Sequence, residues 1–214
     1  MILERIKRAK LVTNTVNDVS YKFIHPIDNH AEIKNLNWEP KLAQILYKNF
    51  KELKKDYIFW DIGAAFGVFS ILSKKCNPSS TVISIEPYWV RRWILKINTL
   101  FTNKLNVKNL FVSNIDSNKQ IRLSTLSERL NHIPDIMKMD IEGGEYEAIL
   151  GSIEWLKVNK PIIIFEFHKG IMERQNKNHD LIIKKLEEIG YILELVDHHD
   201  DELSNNFLYY CKCI

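Results

Sequence analysis

From residue 57 onward, the apolar residues of the chain alternate between two patterns. Short continuous apolar runs, typical of strands buried on both faces, alternate with stretches in which apolar residues recur every three or four positions, as on one side of a helix. The predicted strands are 57–60, 81–85, 109–113, 135–140, 161–167, 191–196 and 207–211. Helices separate most of them, and one of these helices has Trp89, Trp93, Ile97 and Leu100 at helical spacing. The pattern therefore predicts an α/β protein with a largely parallel sheet.

The two ends of the chain depart from this alternation. A polar loop that includes residues 198–201 joins the last two predicted strands without a helix, so we expect these strands to form an antiparallel pair. Residues 1–10 indicate a short basic amphipathic helix, and residues 19–25 indicate a strand. We therefore predict an N-terminal extension over residues 1–40, made of a helix and a short strand, and a Rossmann-like domain over residues 41–214.

Composition and charge narrow the class of protein. A chain of 214 residues with 45% apolar residues fits one ordinary globular domain and excludes wholesale disorder. Thirty Lys and Arg stand against 27 Asp and Glu, so no nucleic-acid partner is expected unless a local basic patch exists. Three cysteines exclude a disulfide scaffold. Because no apolar run is long enough for a signal peptide or a membrane span, we expect a cytoplasmic location.

A glycine turn directly follows the first buried strand. It contains Asp61, Gly63, Ala65 and Gly67 and precedes a helix. Glycine lets the backbone turn sharply and approach a ligand. The Gly-x-x-x-Gly spacing differs from that of a dinucleotide-binding turn, and a Walker lysine is absent. The turn therefore predicts a nucleoside ligand without a tightly cradled phosphate, and a tight corner that binds nothing is the alternative.

Glu86 ends the next predicted strand, about 20 residues beyond the turn. A carboxylate at this position can accept hydrogen bonds from both hydroxyls of a ribose, and it would repel a 2′-phosphate. Glu86 therefore favours a ribose ligand over NADP, whereas a solvated acid at a strand end is the alternative.

Acidic residues and a histidine follow two later strands. Asp140, Glu142 and Glu145 lie within six residues at the carboxyl end of one strand, and Glu166 and His168 follow on the same side of the next. Such groups can remove a proton or hold a divalent cation. Glu145 can instead stabilise the first turn of its helix, and a lone histidine after a strand is more often structural.

Together these segments resemble the FkbM-type S-adenosylmethionine-dependent methyltransferases. The resemblance covers roughly residues 38–168, and its most diagnostic piece is Lys-x-Asp-x-Glu-Gly-x-Glu at residues 138–145. The segments that carry it are 38–40, 59–67, 85–87, 137–145, 150–151 and 161–168. The resemblance implies a class I, Rossmann-like methyltransferase fold, a three-layer α/β sandwich with a seven-stranded, mostly parallel sheet whose last strand is antiparallel.

The resemblance also implies a role for each candidate residue. The implied donor-binding residues are Asp61, Gly63, Ala65, Gly67, Glu86, Ser113 and Asn114. The implied catalytic residues are Asp140, His168 and Glu142, and Glu145 and Glu166 would bind the acceptor. A divalent metal held by Asp140, Glu142 and Glu166 is an alternative to catalysis by a base.

Three positions depart from the family pattern. Family members usually have Asn where Ala65 stands and an acid where Ser127 stands, and Asn114 supplies no carboxylate for an adenine amine. These departures favour an alternative in which the chain binds S-adenosylmethionine without catalysis or serves as a scaffold.

The sequence thus predicts an S-adenosylmethionine-dependent O-methyltransferase that acts on a hydroxyl of a sugar, a glycan or another small metabolite. Either His168 or Asp140 would be the base. A nucleic-acid methyltransferase is a further alternative, although the Asn/Asp-Pro-Pro-Tyr/Phe turn of the amino-methylating kind is replaced by Asp-Ile-Glu-Gly at residues 140–143. A nicotinamide dehydrogenase is disfavoured by the glycine spacing.

Overall fold

The computed structural model of the chain describes residues 9–26, 39–102, 105–200 and 205–213. The helix predicted over residues 1–10 lies outside these residues except for its last two positions, which begin a strand. The chain divides into two compact units, Met1–Asn109 and Leu110–Ile214. The boundary predicted at residue 40 does not coincide with this division and stays a prediction.

An antiparallel hairpin opens the first unit. Strands β1 (Ala9–Val16) and β2 (Val19–Pro26) pair along their full length. The sequence predicted β2 but not β1. The buried positions of β1 include Asn14, whose amide donates a hydrogen bond to the Tyr21 hydroxyl at 3.0 Å. This polar residue on the buried face interrupts the apolar alternation by which a strand is recognised.

In the described residues of the first unit, the hairpin is followed by three parallel strands and three α-helices. The strands lie in the order β3 (Ile58–Ile62), β4 (Thr81–Ile85) and β5 (Asn106–Lys108). The helices are α1 (Pro40–Glu52), α2 (Val68–Cys76) and α3 (Trp89–Asn98), and a 3₁₀ turn (Thr99–Phe101) follows α3. The last four residues of β3 and of β4 are all buried, as their continuous apolar runs predict.

Helix α3 buries a different side from the one that its aromatic residues suggest. Ile94 and Leu95 are buried, whereas Trp89, Trp93 and Leu100 are 59%, 47% and 80% exposed. Apolar residues occupy more than one side of this helix, so helical spacing alone does not identify the side that packs.

The part of the second unit that the structure describes contains four strands of the main sheet, a small separate sheet and five helices. The four strands lie in the order β10 (Tyr191–Asp200), β11 (Asn205–Cys213), β9 (Ile162–His168) and β8 (Ile136–Met139). The helices are α4 (Leu123–Leu130), α5 (Glu145–Leu150), α6 (Ile153–Asn159), α7 (Lys169–Arg174) and α8 (His179–Glu188).

The prediction of a strand over residues 109–113 as the third strand of the sheet is wrong. That position belongs to β5, whereas β6 (Phe111–Val112) pairs with β7 (Gln120–Ile121) in a separate two-stranded parallel sheet. Both segments are short and contain apolar residues, so their hydrophobic pattern does not show which one joins the main sheet.

The predicted antiparallel pair at the end of the chain is confirmed. Strand β11 runs antiparallel to β10 and to β9. The prediction of a loop at residues 198–201 is wrong for residues 198–200, which belong to β10, and residue 201 lies outside the described residues. The strand continues there because the His198 ring stacks on Phe207, its cross-strand partner, with centroids 4.2 Å apart.

Seven strands, β3 to β5 and β8 to β11, belong to one mixed, mostly parallel sheet. Its last strand is antiparallel to both of its neighbours, as the sequence predicts. Helices follow most of the parallel strands, which is the arrangement of an open α/β fold. Within the described parts of the chain, no helix has the length and apolar content that crossing a membrane requires.

Candidate active site

The glycine turn after β3 has a left-handed backbone at three positions. The φ angles of Gly63, Ala65 and Gly67 are 74°, 46° and 84°. The amide of Gly63 donates to the Ile85 carbonyl at 2.9 Å, which ties the turn to the end of β4. A Cβ atom on Gly67 would lie 2.3 Å from Cδ1 of Leu95 on helix α3. Both the left-handed backbone and this close approach therefore favour glycine at position 67.

Glu86 is buried and held by the main chain. Its Oε2 accepts a hydrogen bond from the amide of Ala65 at 2.9 Å, and its Oε1 accepts one from the amide of Tyr88 at 2.8 Å. The Arg92 guanidinium donates to the backbone carbonyls of Glu86 at 3.0 Å and of Pro87 at 2.6 Å. These bonds orient the carboxylate at the carboxyl end of β4, where an open α/β sheet binds its ligand.

Asp61 links three elements below the turn. Its side chain is fully buried and accepts a hydrogen bond from the Ser70 hydroxyl at 2.6 Å. The Ser70 hydroxyl also lies 2.8 Å from the Ser84 hydroxyl, so β3, α2 and β4 share one network of hydrogen bonds. These contacts of Asp61 stabilise the corner between strand and helix, and its predicted contact with a donor stays a prediction.

Asn98 holds the turn and the hairpin together, a role that the sequence does not indicate. Its fully buried side-chain amide donates to the carbonyls of Phe66 at 2.7 Å and Ile24 at 2.9 Å, and its Oδ1 accepts from the Ile24 amide at 2.6 Å. A single Asn on an apolar helix side has no motif by which it could be found. It thereby stabilises the conformation of the glycine turn.

A second group of polar side chains lies in the second unit. We call Lys138, Asp140, Glu145, Glu166 and His168 the carboxylate–histidine cluster. Strands β8 and β9 are parallel neighbours, so their carboxyl ends bring these residues together. His168 lies at its centre, with Nδ1 3.2 Å from Glu145 Oε1 and Nε2 3.6 Å from Asp140 Oδ1. Nζ of the buried Lys138 lies 3.4 Å from Asp140 Oδ2.

Glu145 is the best-buried acid of this cluster. Its side chain has no exposed surface. Oε1 accepts a hydrogen bond from the Ile141 amide at 2.8 Å, and Oε2 accepts one from the Gly143 amide at 2.9 Å. The predicted contact of Glu145 with an acceptor stays a prediction, because all of these contacts are with the protein.

The cluster changes the protonation of two of its members. Burial alone would lower the pKa of His168, but the hydrogen bond to Glu145 and the charges of Glu145, Asp140 and Glu166 together raise it to about 9. Burial, and then the charge of Asp140, raise the pKa of the Glu166 carboxyl. His168 is therefore an imidazolium at neutral pH, and its positive charge balances the neighbouring carboxylates.

The residues that lie close enough together to hold a metal ion differ from the predicted set. Among the described residues, one ligand atom each of Asp140, Glu166 and His168 lies within 4.8 Å of the others. The predicted set had Glu142 in place of His168. Glu142 is exposed in the turn after Asp140, with φ of 53°, and it is outside this group. Lys138 and the imidazolium already supply positive charge to the cluster.

Two members of this site had no predicted role. Lys138 lies two residues before Asp140, on the same side of the extended chain, so strand alternation could have identified it. Asn206 donates a hydrogen bond to Glu166 Oε1 at 2.9 Å, and it pairs with His168 in the register of β11 and β9. The sequence could not place Asn206, because the register between these strands is not visible in it.

Ser113 and Asn114 follow β6 rather than a strand of the main sheet. The Ser113 amide donates to the Ile121 carbonyl at 2.9 Å. The Cα atom of Asn114 lies 2.6 Å from the position that a Cβ on Gly151 would occupy. The structure thus places both residues in the second unit, and their predicted donor contacts stay predictions.

Comparisons with known proteins identify the class. Residues 96–193 match the model of the Methyltransferase FkbM domain. No curated protein in the comparison matches the chain.

Three solved structures show the fold. A methyltransferase FkbM from Methylobacillus flagellatus KT is 20% identical over 74% of this chain and 44% of that chain, with a TM-score of 0.57. An rRNA methylase from Streptococcus thermophilus is 10% identical over 80% of this chain and 95% of that chain, with a TM-score of 0.56. The precorrin-6y C5,15-methyltransferase from Geobacter metallireducens GS-15 is 15% identical over 80% of this chain and 88% of that chain, with a TM-score of 0.52.

The fold is therefore that of the class I, Rossmann-like methyltransferases, as the sequence predicts. Residues 96–193, a little under half of the chain, match the FkbM methyltransferase domain, which bears out the resemblance found in the sequence and supports a methyltransferase enzyme. This match supports S-adenosylmethionine as the methyl donor. The chain spans less than half of the length of the Methylobacillus FkbM protein.

Proposed function

We propose that the chain is an S-adenosylmethionine-dependent O-methyltransferase that methylates a hydroxyl of a sugar, a glycan or another small metabolite. The observation that carries this proposal is the carboxylate–histidine cluster, in which His168 lies between Glu145 and Asp140 at the carboxyl ends of two parallel strands. An alcohol must lose its proton during methylation, and this cluster offers groups that can take it. The Glu166 carboxylate and the Asn206 amide could also form hydrogen bonds with the hydroxyls of a polar acceptor.

The residues around the glycine turn fit the methyl donor. S-adenosylmethionine has a ribose and no phosphate, and it supplies an electrophilic methyl group when bound. Glu86 presents a carboxylate, oriented by two amides, to a ribose. Residues 61–67 contain no Lys or Arg that would indicate a phosphate. We assign donor binding to Glu86 and the turn, and acceptor binding to the cluster.

A transfer assay tests this function. The protein is incubated with radiolabelled S-adenosylmethionine and a panel of monosaccharides, glycosides and sugar phosphates, and methylated products are quantified. We expect transfer to at least one hydroxylated acceptor and its loss in an Asp140→Ala, His168→Ala double variant. The control is His198→Ala, which removes an exposed histidine of β10. A fully active double variant would exclude both candidate bases, and donor binding without transfer to any acceptor would favour the non-catalytic alternative.

A nucleic-acid methyltransferase is the second candidate, and the distribution of charge favours it. Residues 1–109 hold 18 Lys and Arg against nine Asp and Glu, whereas residues 110–214 hold 12 against 18. The net charge of the chain is therefore close to zero although the first unit is basic, because the second unit is acidic. Helix α3 exposes Trp89 and Trp93, and the Arg91 guanidinium lies 5.4 Å from the ring centroid of the exposed Tyr88. Basic surfaces with exposed aromatic rings suit single-stranded nucleic acids.

RNA binding distinguishes this candidate from the first. Filter binding of an unstructured RNA is measured at about 50 and about 200 mM salt, because phosphate contacts weaken steeply over this range. Salt-dependent binding together with methyl transfer to the RNA would replace the sugar acceptor by RNA. Transfer to sugars without RNA binding would support the first candidate.

A further inference from the structure

The hydrogen bonds of Glu145 restrict where His168 can carry its proton. The Glu145 carboxylate accepts from the amides of Ile141 and Gly143, and Nδ1 of His168 lies 3.2 Å from the same Oε1 that the Ile141 amide contacts. An ionised carboxylate only accepts hydrogen bonds, so its partner on the imidazole must be an N–H. Nδ1 must therefore be protonated in the neutral ring as well as in the imidazolium.

We propose that Glu145 is a positioning residue that keeps the His168 proton on Nδ1, so that Nε2 is the atom that removes the proton of the acceptor hydroxyl. This inference rests on the proposed O-methyltransferase function. It decides between the two bases that the sequence left open, and it gives Glu145 a role different from the predicted contact with the acceptor.

The proposed step moves the methyl group to the acceptor oxygen and the hydroxyl proton to His168. The acceptor oxygen forms a bond to the methyl carbon, the bond between that carbon and sulfur breaks, and the hydroxyl proton passes to Nε2 of His168. Nε2 has a suitable position, because it is the ring nitrogen remote from Glu145 and it lies 3.6 Å from Asp140 Oδ1. A hydroxyl that approaches Nε2 can thus also lie within hydrogen-bonding distance of Asp140, which would orient it.

The charges around the cluster favour His168 over Asp140 as the base. Asp140 Oδ2 lies 3.4 Å from Nζ of Lys138 and Oδ1 lies 3.6 Å from Nε2 of His168, so both of its oxygens already face basic side chains. His168 faces Glu145, Asp140 and Glu166, whose negative charges make its neutral form a stronger base. Stronger basicity suits the removal of a proton from an alcohol, at the cost that the ring must first be deprotonated.

Nitrogen NMR of histidine-labelled protein tests the inference without an acceptor. The His168 resonances are assigned by comparison with His168→Gln. In the wild-type protein we expect His168 to titrate with a pKa near 9 and its neutral form to carry the proton on Nδ1. In Glu145→Gln the pKa of His168 should fall by about one unit or more, because a nearby negative charge is removed.

Glu147→Gln is the matched control, since it makes the same change on the same helix. Glu147 pairs with Lys177 at 2.6 Å. We expect the titration of His168 to be unchanged in this variant. A neutral wild-type ring with its proton on Nε2 would overturn the inference, and so would a Glu145→Gln variant that titrates as the wild type does. Should Glu145→Gln fail to fold, the wild-type spectrum still decides where the proton lies.

The pH profile of transfer provides a second readout once an acceptor is known. With His168 as the base, kcat/KM should rise about tenfold per pH unit below the break near pH 9, because only the neutral ring accepts a proton. Glu145→Gln should move this break to lower pH. A profile that is flat from pH 6 to 9 would contradict the assignment. Calorimetric titration with S-adenosylmethionine tests the proposed function separately, so its failure and that of this inference are distinguishable.

Discussion

The two candidate regions hold their acids in different ways. Backbone amides fix both carboxylate oxygens of Glu86, in the first unit. Backbone hydrogen bonds also fix the glycine turn that Glu86 contacts. In the carboxylate–histidine cluster, in the second unit, Glu145 is also held by two backbone amides, but its Oε1 faces His168 as well. Asp140 of the same cluster faces the ionisable side chains of Lys138 and His168. Backbone bonds fix a shape that does not change with pH, whereas clustered ionisable side chains respond to one another's charge.

This difference indicates a division of labour. A carboxylate oriented by the main chain recognises a ligand without reorganising, which suits donor binding. A histidine whose pKa is raised by three neighbouring carboxylates can exchange a proton, which suits the chemical step. Changes in the first region should therefore alter stability and donor affinity, and changes in the second should alter the rate of transfer.

The largest effect is expected from His168→Ala. Removal of a general base typically lowers the rate by about 10²–10⁴-fold, and we expect this loss in transfer to the acceptor found by the assay. The affinity for S-adenosylmethionine should stay close to that of the wild-type protein, as calorimetry would show. A variant that loses donor affinity instead of rate would contradict the proposed division of labour.

Asn98→Ala should have the largest effect on stability. It leaves the Phe66 carbonyl and both backbone groups of Ile24 without the amide that they contact, and each buried polar group left unsatisfied costs about 1–3 kcal/mol. We expect denaturant unfolding to show a loss of at least about 2 kcal/mol, with weaker donor binding in the folded fraction. The control is Asn159→Ala, which removes one hydrogen bond to the Trp155 carbonyl at the end of α6. Equal losses in both variants would mean that the contact of Asn98 with the turn has no special importance.

Gly67→Ala should reduce the stability of the fold less than Asn98→Ala does. A left-handed backbone costs an alanine about 1–2 kcal/mol, and at Gly67 the new Cβ would also meet Leu95. Gly190→Ala separates these causes, because Gly190 has φ of 95° but no atom within 4 Å of the Cβ position. We expect thermal unfolding to show a larger loss of stability for Gly67→Ala. Equal losses would mean that the Leu95 side chain moves aside at no cost.

Metal removal should have the smallest effect. Lys138 and the imidazolium of His168 supply positive charge next to Asp140, so we expect the rate of transfer to stay unchanged after chelation of divalent cations. The assay compares chelated protein with protein to which Mg²⁺ or Mn²⁺ is returned. Loss of activity on chelation and its recovery on return of the metal would instead assign Asp140, Glu166 and His168 to a metal site.

Much of the fold follows from the sequence because its signals are local. Continuous apolar runs identify β3, β4 and β9, and the segment 61–67 identifies the turn. The structure corrects what depends on distant partners. The short segments around residues 106–112 are told apart only by the strand with which each pairs, and His198 extends β10 through its contact with Phe207.

As with the fold, the sequence predicts the parts of the candidate site that depend on the strands, and not the contacts that depend on packing. Asp140 directly follows β8, and Glu166 and His168 lie at the carboxyl end of β9, its parallel neighbour, so topology brings the three residues together. The burial of Glu145 and the contact of Asn206 with Glu166 depend on how helix α5 and strand β11 pack, and no spacing in the sequence reports this. The role of Asn98 was hidden for the same reason, since its partners lie 32 and 74 residues away.

The most direct test of the proposed division of labour is calorimetric titration of three proteins with S-adenosylmethionine and S-adenosylhomocysteine: the wild type, Glu86→Ala and His168→Ala. We expect micromolar binding to the wild type, no measurable binding to Glu86→Ala and nearly unchanged binding to His168→Ala. Full binding by Glu86→Ala, or an equal loss in both variants, would contradict the assignment of the donor to the turn and of the chemistry to the cluster.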